Sequence, residues 1–527
     1  MNASQWKDIP NAQGLLYSVY PNPPLDNKSC SQHYHAFAWV RVDQTLDEIQ
    51  AARDHFGLEP FYYHFSPPYF IFGSTLPHLL RCLKKTPAWN QPAIEEYFMS
   101  PYPPYRTETY YQKIYRLTPG HLLTIKAGNM VEIPFWKLDP TRPALNFQHE
   151  EEYLEQFSAL LDEAVQFHAG GSKTLGLTLS GGLDSSSILV SCQRASLSPV
   201  VFTHANQPGA SKSDEDLLLE ELMACFQLSP RHHLIDASQF DPMSAHEWCA
   251  KVFAGPAPYQ FFMLSHALHQ AIAKQGVTTV FTGYGGDECV SGYPPLRGFF
   301  HQTLREKSLR YAWHELRHHY EVNEKITPST LRKLLYLLQY SHPVFYRYLT
   351  ECFDAYTIAK HFFYAEPKQT KSHPPMYSSI THFEYEYLQG SLSHSLRMRI
   401  EYSALVAKTL GFSYRYPLLY PPLVEYCFHL PLDQKRRFGL SRYLIRQYLQ
   451  QALPHVVFPK KYKMTGSIAG AALEKCLRYF EEGRLNSYFN PLPFQDLFTK
   501  NADPLTQCLQ MMFAYMAQFV RRDSNMS

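Results

Sequence analysis

Along the first 140 residues, apolar and polar positions alternate in short runs, Ala36 to Val42 and Tyr69 to Phe72 among them, between turn residues. Such a period of two predicts half-buried strands, and the stretch reads as a strand-rich module. LDPTRPALN, from Leu138 to Asn146, breaks the pattern, and an acidic amphipathic helix is expected from near Glu150. A domain boundary is placed there, giving modules over 1–140 and 150–527. From Thr174 short apolar runs alternate with helical periods: TLGLTL, Ser185 to Ser196, PVVFTHA, Asp214 to Phe226 and VTTVFTG. Apolar strands separated by helices predict a parallel α/β core. From about Arg297 onward the sequence is Leu- and Tyr-rich with a helical period and no repeat, the pattern of a helical cap on that sheet.

Composition narrows the partners. At 527 residues the chain is too long for one ordinary core, which agrees with two modules. A net charge of +2 gives no bias toward nucleic acid or an anionic membrane. The apolar stretch around Leu334 to Leu338 is interrupted well before it could cross a bilayer. Ten cysteines run from Cys30 to Cys508 without a C-x-x-C pair, and MNASQWKDIP lacks the basic and apolar regions of a signal peptide. A reduced cytoplasm is the expected compartment.

Candidate chemistry lies at two strand ends. LSGGLDSS, from Leu179 to Ser186, sits between a predicted strand and a predicted helix. Gly181 and Gly182 let the backbone approach a phosphate chain, and the helix offers its unpaired N–H groups to the anion. Ser180, Ser185 and Ser186 add hydroxyl donors, while Asp184 would repel phosphate without an intervening metal, so the carboxylate implies Mg²⁺. No G-K-[ST] follows, so this is not a Walker loop. The second site is TGYGGDECVSGY, from Thr282 to Tyr293, again after a strand. Gly283, Gly285 and Gly286 permit close approach there, Asp287 supplies a second metal carboxylate, and Glu288 reads as structural.

Together S-G-G-L-D-S, G-x-G-x-D-E and the later G-Y resemble the asparagine synthetase superfamily of ATP-pyrophosphatases, with its β-lactam synthetases and lasso peptide cyclases. The resemblance implies a PP-loop synthetase domain that uses ATP and Mg²⁺ to adenylate a carboxylate, which an amine then captures as an amide. ATP would lie over the 180–186 loop, its adenine against the strand around Phe202 and His204, although His204 reads more simply as a core histidine. GLSRYLIRQYLQQALP and PKKYKMTG are similar to the family's carboxyl-terminal helix and lysine loop, which implies Lys460 as the catalytic lysine, with Lys461 and Lys463 close by. Where asparagine synthetases carry Glu, this chain has Tyr284, as β-lactam synthetases do, and IEYSALVAKTLG resembles the segment of their catalytic glutamate. The resemblance therefore implies a Tyr284–Glu401 proton relay.

The first module resembles the second half of the family's α+β glutaminase domain in FAWV, AARDHFGLEPFYY, IFGSTLPHLL and YRLTPGHLL. A glutaminase of this class needs a terminal Cys with its free α-amine, whereas position two is Asn2 and Cys30 has no such amine beside it. Ammonia production is expected to be lost. The resemblance then implies an amine carried by the substrate itself and an intramolecular amide. A lasso peptide macrolactam is the leading reading, with a precursor peptide as substrate and a leader-binding protein and a leader peptidase as partners. A β-lactam-type or asparagine-type ligase acting on a small amino acid is the alternative. HELRH, from His314 to His318, has the H-E-x-x-H spacing of a zinc protease, but with 25 histidines and no third ligand motif chance accounts for it better. A non-catalytic relative is disfavoured because both aspartates, the serines and Lys460 are present.

Overall fold

The computed structural model describes residues 26–43, 46–94, 106–172, 174–204, 214–235, 248, 252–254, 259–290, 299–300, 303, 307–323, 396–456 and 458. In the first module, alternation becomes strands: β1 (Ala38–Asp43), β2 (Glu48–Arg53), β3 (Tyr62–Ser66), β4 (Tyr69–Gly73), β5 (Tyr115–Arg116), β6 (His121–Lys126) and β7 (Asn129–Pro134). They form two antiparallel sheets, ordered β1-β2-β6-β7 and β4-β3-β5. Ala51, Phe61, Tyr63, Phe70, Leu117, Leu123 and Ile125 form a common buried core. Each large side chain there contributes about 1.5–3 kcal/mol of burial.

Helix α1 (Glu150–Ala169) starts where the acidic run predicted. Its first turn carries Glu150, Glu151 and Glu152 against the positive end of the helix dipole, and Glu152 accepts the His149 N–H at 2.9 Å. Gly170, with φ of +51°, ends it in the left-handed region that glycine tolerates.

The second module is built on β8 (Leu175–Thr178), α2 (Leu183–Arg194), β9 (Val200–His204), α3 (Asp214–Cys225), β10 (His232–Ile235), α4 (Tyr259–Lys274) and β11 (Thr279–Phe281). Then come α5 (Leu309–Asn323), α6 (Arg397–Leu410), β12 (Ser413–Arg415), α7 (Pro421–Phe428), the hairpin strands β13 (Arg436–Arg437) and β14 (Leu440–Ser441), and α8 (Tyr443–Ala452). Five strands form one parallel sheet in the order β10-β9-β8-β11-β12. One core gathers side chains of α1, α2, α7 and α8, such as Phe157, Leu189, Leu423 and Tyr448. The other gathers Ile272 of α4 and Ile400 of α6 with Val280 and Tyr414 of the sheet. The parallel core is therefore present as the pattern required, and α5 to α8 lie in the part expected to form a helical cap, of which positions 324–395 and 459–527 lie outside the described residues. The cap also donates β12, whose three residues carry too little pattern to read and which is defined by pairing with β11. Among the described residues no helix is long and apolar enough to cross a membrane.

Candidate functional site

From β8 the chain builds outward through β9 to β10, then crosses to the other side of β8 for β11 and β12. The crevice at the carboxyl ends of β8 and β11 is therefore the point where strand order reverses, the place where open parallel sheets bind ligands. Leu175 pairs with Thr279 and Leu177 with Phe281, so the two strands end side by side. The loops that follow them are the two motifs singled out in the sequence.

In the first loop Gly181 has φ of +76°, and a Cβ there would overlap the Glu215 carbonyl. Gly182 precedes α2 as its N-cap, leaving the first-turn amides of the helix facing the crevice. Ser185 Oγ accepts the Ser180 N–H at 3.2 Å, and the Ser180 Oγ lies 3.3 Å away. Ser186 is fully buried and its hydroxyl donates to the Gly182 carbonyl at 2.7 Å, which makes it a brace of the loop rather than a phosphate donor. Leu179 is likewise buried, and its N–H donates to the Phe202 carbonyl at 2.9 Å.

The second loop passes directly over the first. A Cβ on Gly283 would lie 3.0 Å from the Asp184 Cβ, and one on Gly286 would collide with the Asp184 carboxylate. Only glycine lets the two turns come this close. Asp184 and Asp287 meet the same guanidinium: Arg442 pairs with Asp184 through Nη2 and with Asp287 through Nη1 at 2.7 Å. The Asp287 side chain is 61% exposed, and desolvation first and then the Glu288 carboxylate push its carboxyl up to about 6 against the pull of Arg399. Two carboxylates converging on one cation form the hard oxygen pair that a Mg²⁺ bound to a triphosphate uses. No cluster of three or more His, Cys, Asp or Glu suited to a metal occurs among the described residues. A pair of carboxylates suits an ion whose other ligands are phosphate oxygens and water.

Tyr284 stands between these turns and α6. The Arg399 guanidinium sits 4.8 Å above its ring and bonds Glu288 at 2.5 Å, giving Glu288 a structural partner as the sequence suggested. Glu401 is differently engaged. It is buried, and the hydroxyl that reaches it belongs to Tyr62 at 2.6 Å, with Arg116 at 2.9 Å and Arg53 at 3.5 Å. Against the cost of burial, Arg116, Arg53 and Tyr62 hold its carboxyl below the usual range. A carboxylate so stabilised is a weak base, so Glu401 does not serve Tyr284 as the base of the relay expected from the sequence.

Other expected positions also fall away from the crevice. The Phe202 ring is buried in the sheet core and stacks on His233 at 5.4 Å, so it offers no face to adenine. His204 is largely desolvated, which lowers its pKa and suits the core role given to it. Cys30 is buried with its thiol pushed up to about 12 by burial, which removes it as a nucleophile. In HELRH, buried Glu315 accepts the backbone N–H groups of Phe438 at 3.0 Å and Gly439 at 3.1 Å. The rings of His314 and His318 flank Phe438, with their Nε2 atoms 3.2 Å apart, so the motif grips a turn and its glutamate is engaged by backbone. Lys460, Lys461, Lys463, Tyr293 and Asn2 lie outside the described residues. A cavity of about 680 Å³ lined by Asp162, Arg194 and Tyr448 lies at the far end of α2 from the two loops.

Three residues at the site carried no warning in the sequence. Arg442 precedes a helix in an otherwise ordinary run. Arg399 looks like a solvated helix charge. Glu215 sits in the acidic start of α3, yet burial and then Asp216 and Asp287 push its carboxyl up to about 7.

The asparagine synthase family model matches residues 156–516, and the glutamine amidotransferase domain model matches residues 27–136. The chain is 25% identical over 287 residues to amidase chry2 of Gibberella zeae, which covers 50% of this chain and 40% of that protein. It is 25% identical to amidase chyE of Penicillium rubens over 58% of this chain and 48% of the relative. It is 24% identical to glutamine-hydrolyzing asparagine synthetase 2 of Bacillus subtilis over 48% of this chain and 35% of the relative. The chain thus spans less than half the length of each of these relatives.

Proposed function

The chain belongs to the asparagine synthase family, and from that premise we propose that it is an ATP-dependent, AMP-forming amide ligase. One observation carries the reading: Asp184 and Asp287, on turns at the reversal point of the sheet, converge on a single cation. The N-terminal amides of α2 and the Ser180 and Ser185 hydroxyls cradle the triphosphate. Asp184 and Asp287 would hold Mg²⁺, which would supply charge neutralisation for a departing pyrophosphate. A carboxylate oxygen of the substrate attacks the α-phosphorus and pyrophosphate leaves. The amine nitrogen then attacks the acyl carbon of the adenylate, the acyl–phosphate bond breaks and AMP departs, and the amine proton passes by way of the Tyr284 hydroxyl to solvent water. Lys460, six residues before Gly466, supplies a cation to the developing oxyanion. Tyr284, stacked under Arg399, supplies the hydroxyl that relays the amine proton.

The finer reading is an intramolecular amide, the macrolactam of a lasso peptide. It is supported by Tyr284 in the place of the asparagine synthetases' Glu and by a first module whose Cys30 is buried. A precursor peptide is then the substrate, delivered through a leader-binding protein and a leader peptidase. Incubation with ATP, Mg²⁺ and a candidate core peptide should yield AMP, pyrophosphate and a product lighter by one water. Turnover of a small β-amino acid, or of aspartate with ammonia, in place of the peptide would move the substrate class. Formation of ADP would overturn the adenylation scheme altogether.

A further inference from the structure

The turn between β13 and β14 is two residues long, and both have positive φ, Phe438 at +54° and Gly439 at +72°. That is the geometry of a tight hairpin, and it needs something to hold it. Glu315 supplies the hold through its two backbone bonds, and a Cβ on Gly439 would meet the His318 carbonyl carbon of α5 at 2.5 Å. Shortly after the turn comes Arg442, itself in the left-handed region at φ of +61° and only 7% exposed. A non-glycine residue held there costs of order 1–3 kcal/mol and marks a constraint imposed by its surroundings. The constraint aims the guanidinium at Asp184 and Asp287 together.

We propose that Arg442 is the built-in counter-cation of the metal-binding aspartates, and that Glu315 is the positioning residue that sets Arg442 through the hairpin turn. Before nucleotide arrives, two carboxylates close together repel each other, and the guanidinium holds both turns in register. It also competes with a divalent ion for the same oxygens, so metal binds well only when a triphosphate brings further ligands. This rests on the reading of Asp184 and Asp287 as the metal carboxylates. HELRH thereby acquires a structural role, in which the histidines pack on Phe438 while the glutamate fixes the turn.

The test is Mn²⁺ binding by electron paramagnetic resonance, with and without a non-hydrolysable ATP analogue. Without nucleotide, Arg442→Gln should bind Mn²⁺ roughly tenfold tighter than wild type, the size expected for losing two competing charge pairs at a partly open site. Arg442→Lys, which keeps the charge, should stay near wild type, and Glu315→Gln should shift in the same direction as Arg442→Gln by a smaller factor. A structural role alone predicts equal or weaker binding in all three. Mn²⁺ affinity in Arg442→Gln no higher than in wild type overturns the proposal; if that variant does not fold, the Glu315→Gln comparison decides alone. Wild type binding Mn²⁺ only with the analogue supports the parent reading whichever way the variants fall.

Discussion

Tyr62 of β3 donates its hydroxyl to Glu401 of α6 at 2.6 Å, joining the two modules through a buried carboxylate. Arg116 and Arg53 complete the cluster, so two guanidinium groups from the first module share one acid from the second. Removing one partner of a buried ion cluster leaves uncompensated charge and costs about 3–5 kcal/mol. Glu401→Ala should therefore destabilise the protein by about that amount in urea unfolding, and Tyr62→Phe by about 1.5–3 kcal/mol. An unchanged midpoint in Glu401→Ala would contradict the cluster. Arg399, two positions earlier on α6, bears on Tyr284 and Glu288, so the anchor also fixes the helix that borders the crevice.

The close passage of the two aspartate turns predicts a sharp contrast between glycines. Gly286→Ala must push the Asp184 carboxylate away and should lower pyrophosphate–ATP exchange by roughly 10²–10³-fold, the scale of losing one preorganised electrostatic group. Asp184→Asn and Asp287→Asn should fall in the same range. Gly128→Ala also sits at positive φ but meets nothing within 4 Å, so it should keep full exchange activity. Equal activity in Gly286→Ala and Gly128→Ala would show that the turns need not touch.

The contact of these turns was legible because their chemistry is local. Glycines and one acid after a strand state what the backbone must do, and the alternation of strands and helices places two such turns at one edge. The partners were not legible, because Arg442 reaches Asp184 only through a hairpin whose geometry is set by Glu315 on another helix. Glu401 misled for the same reason. Its segment resembles one that holds a catalytic acid, while the strands that neutralise it belong to the other module. Phe202 shows a simpler limit, since a period of two says that alternate residues share a face but not which face is covered by helices.

Two buried imidazoles, His55 and His168, predict acid sensitivity. His55 contacts Tyr34 and Trp136, and His168 packs on Tyr420. Burial depresses His55 to about 4 and His168 to about 3, below the 6.5 of the unfolded chain. A base with a depressed folded pKa contributes fully above 6.5 and loses that contribution as pH falls toward the folded value. At pH 5 each imidazole should cost about 2 kcal/mol relative to pH 7.5, because the unfolded chain gains the proton. Subtracting the stability profile of His168→Gln from that of wild type isolates its share. A difference that does not change between pH 7.5 and 5 would mean that His168 takes up its proton in the folded state.

Tyr284 separates the two halves of the reaction. Its ring lies under Arg399 at 4.8 Å, so Phe in its place keeps the stacked face and removes only the hydroxyl. Adenylation needs the aspartates and the phosphate loop, whereas amide formation needs the amine to lose a proton. Tyr284→Phe should leave pyrophosphate–ATP exchange within about twofold of wild type while lowering amide formation by roughly 10²–10⁴-fold, the range of a positioned proton-transfer group. Tyr284→Ala, which also removes the support of Arg399 and through it of Glu288 next to Asp287, should depress both steps. Measuring exchange and product by mass on the same preparations distinguishes the cases, and full-rate amide formation by Tyr284→Phe would remove its hydroxyl from the mechanism.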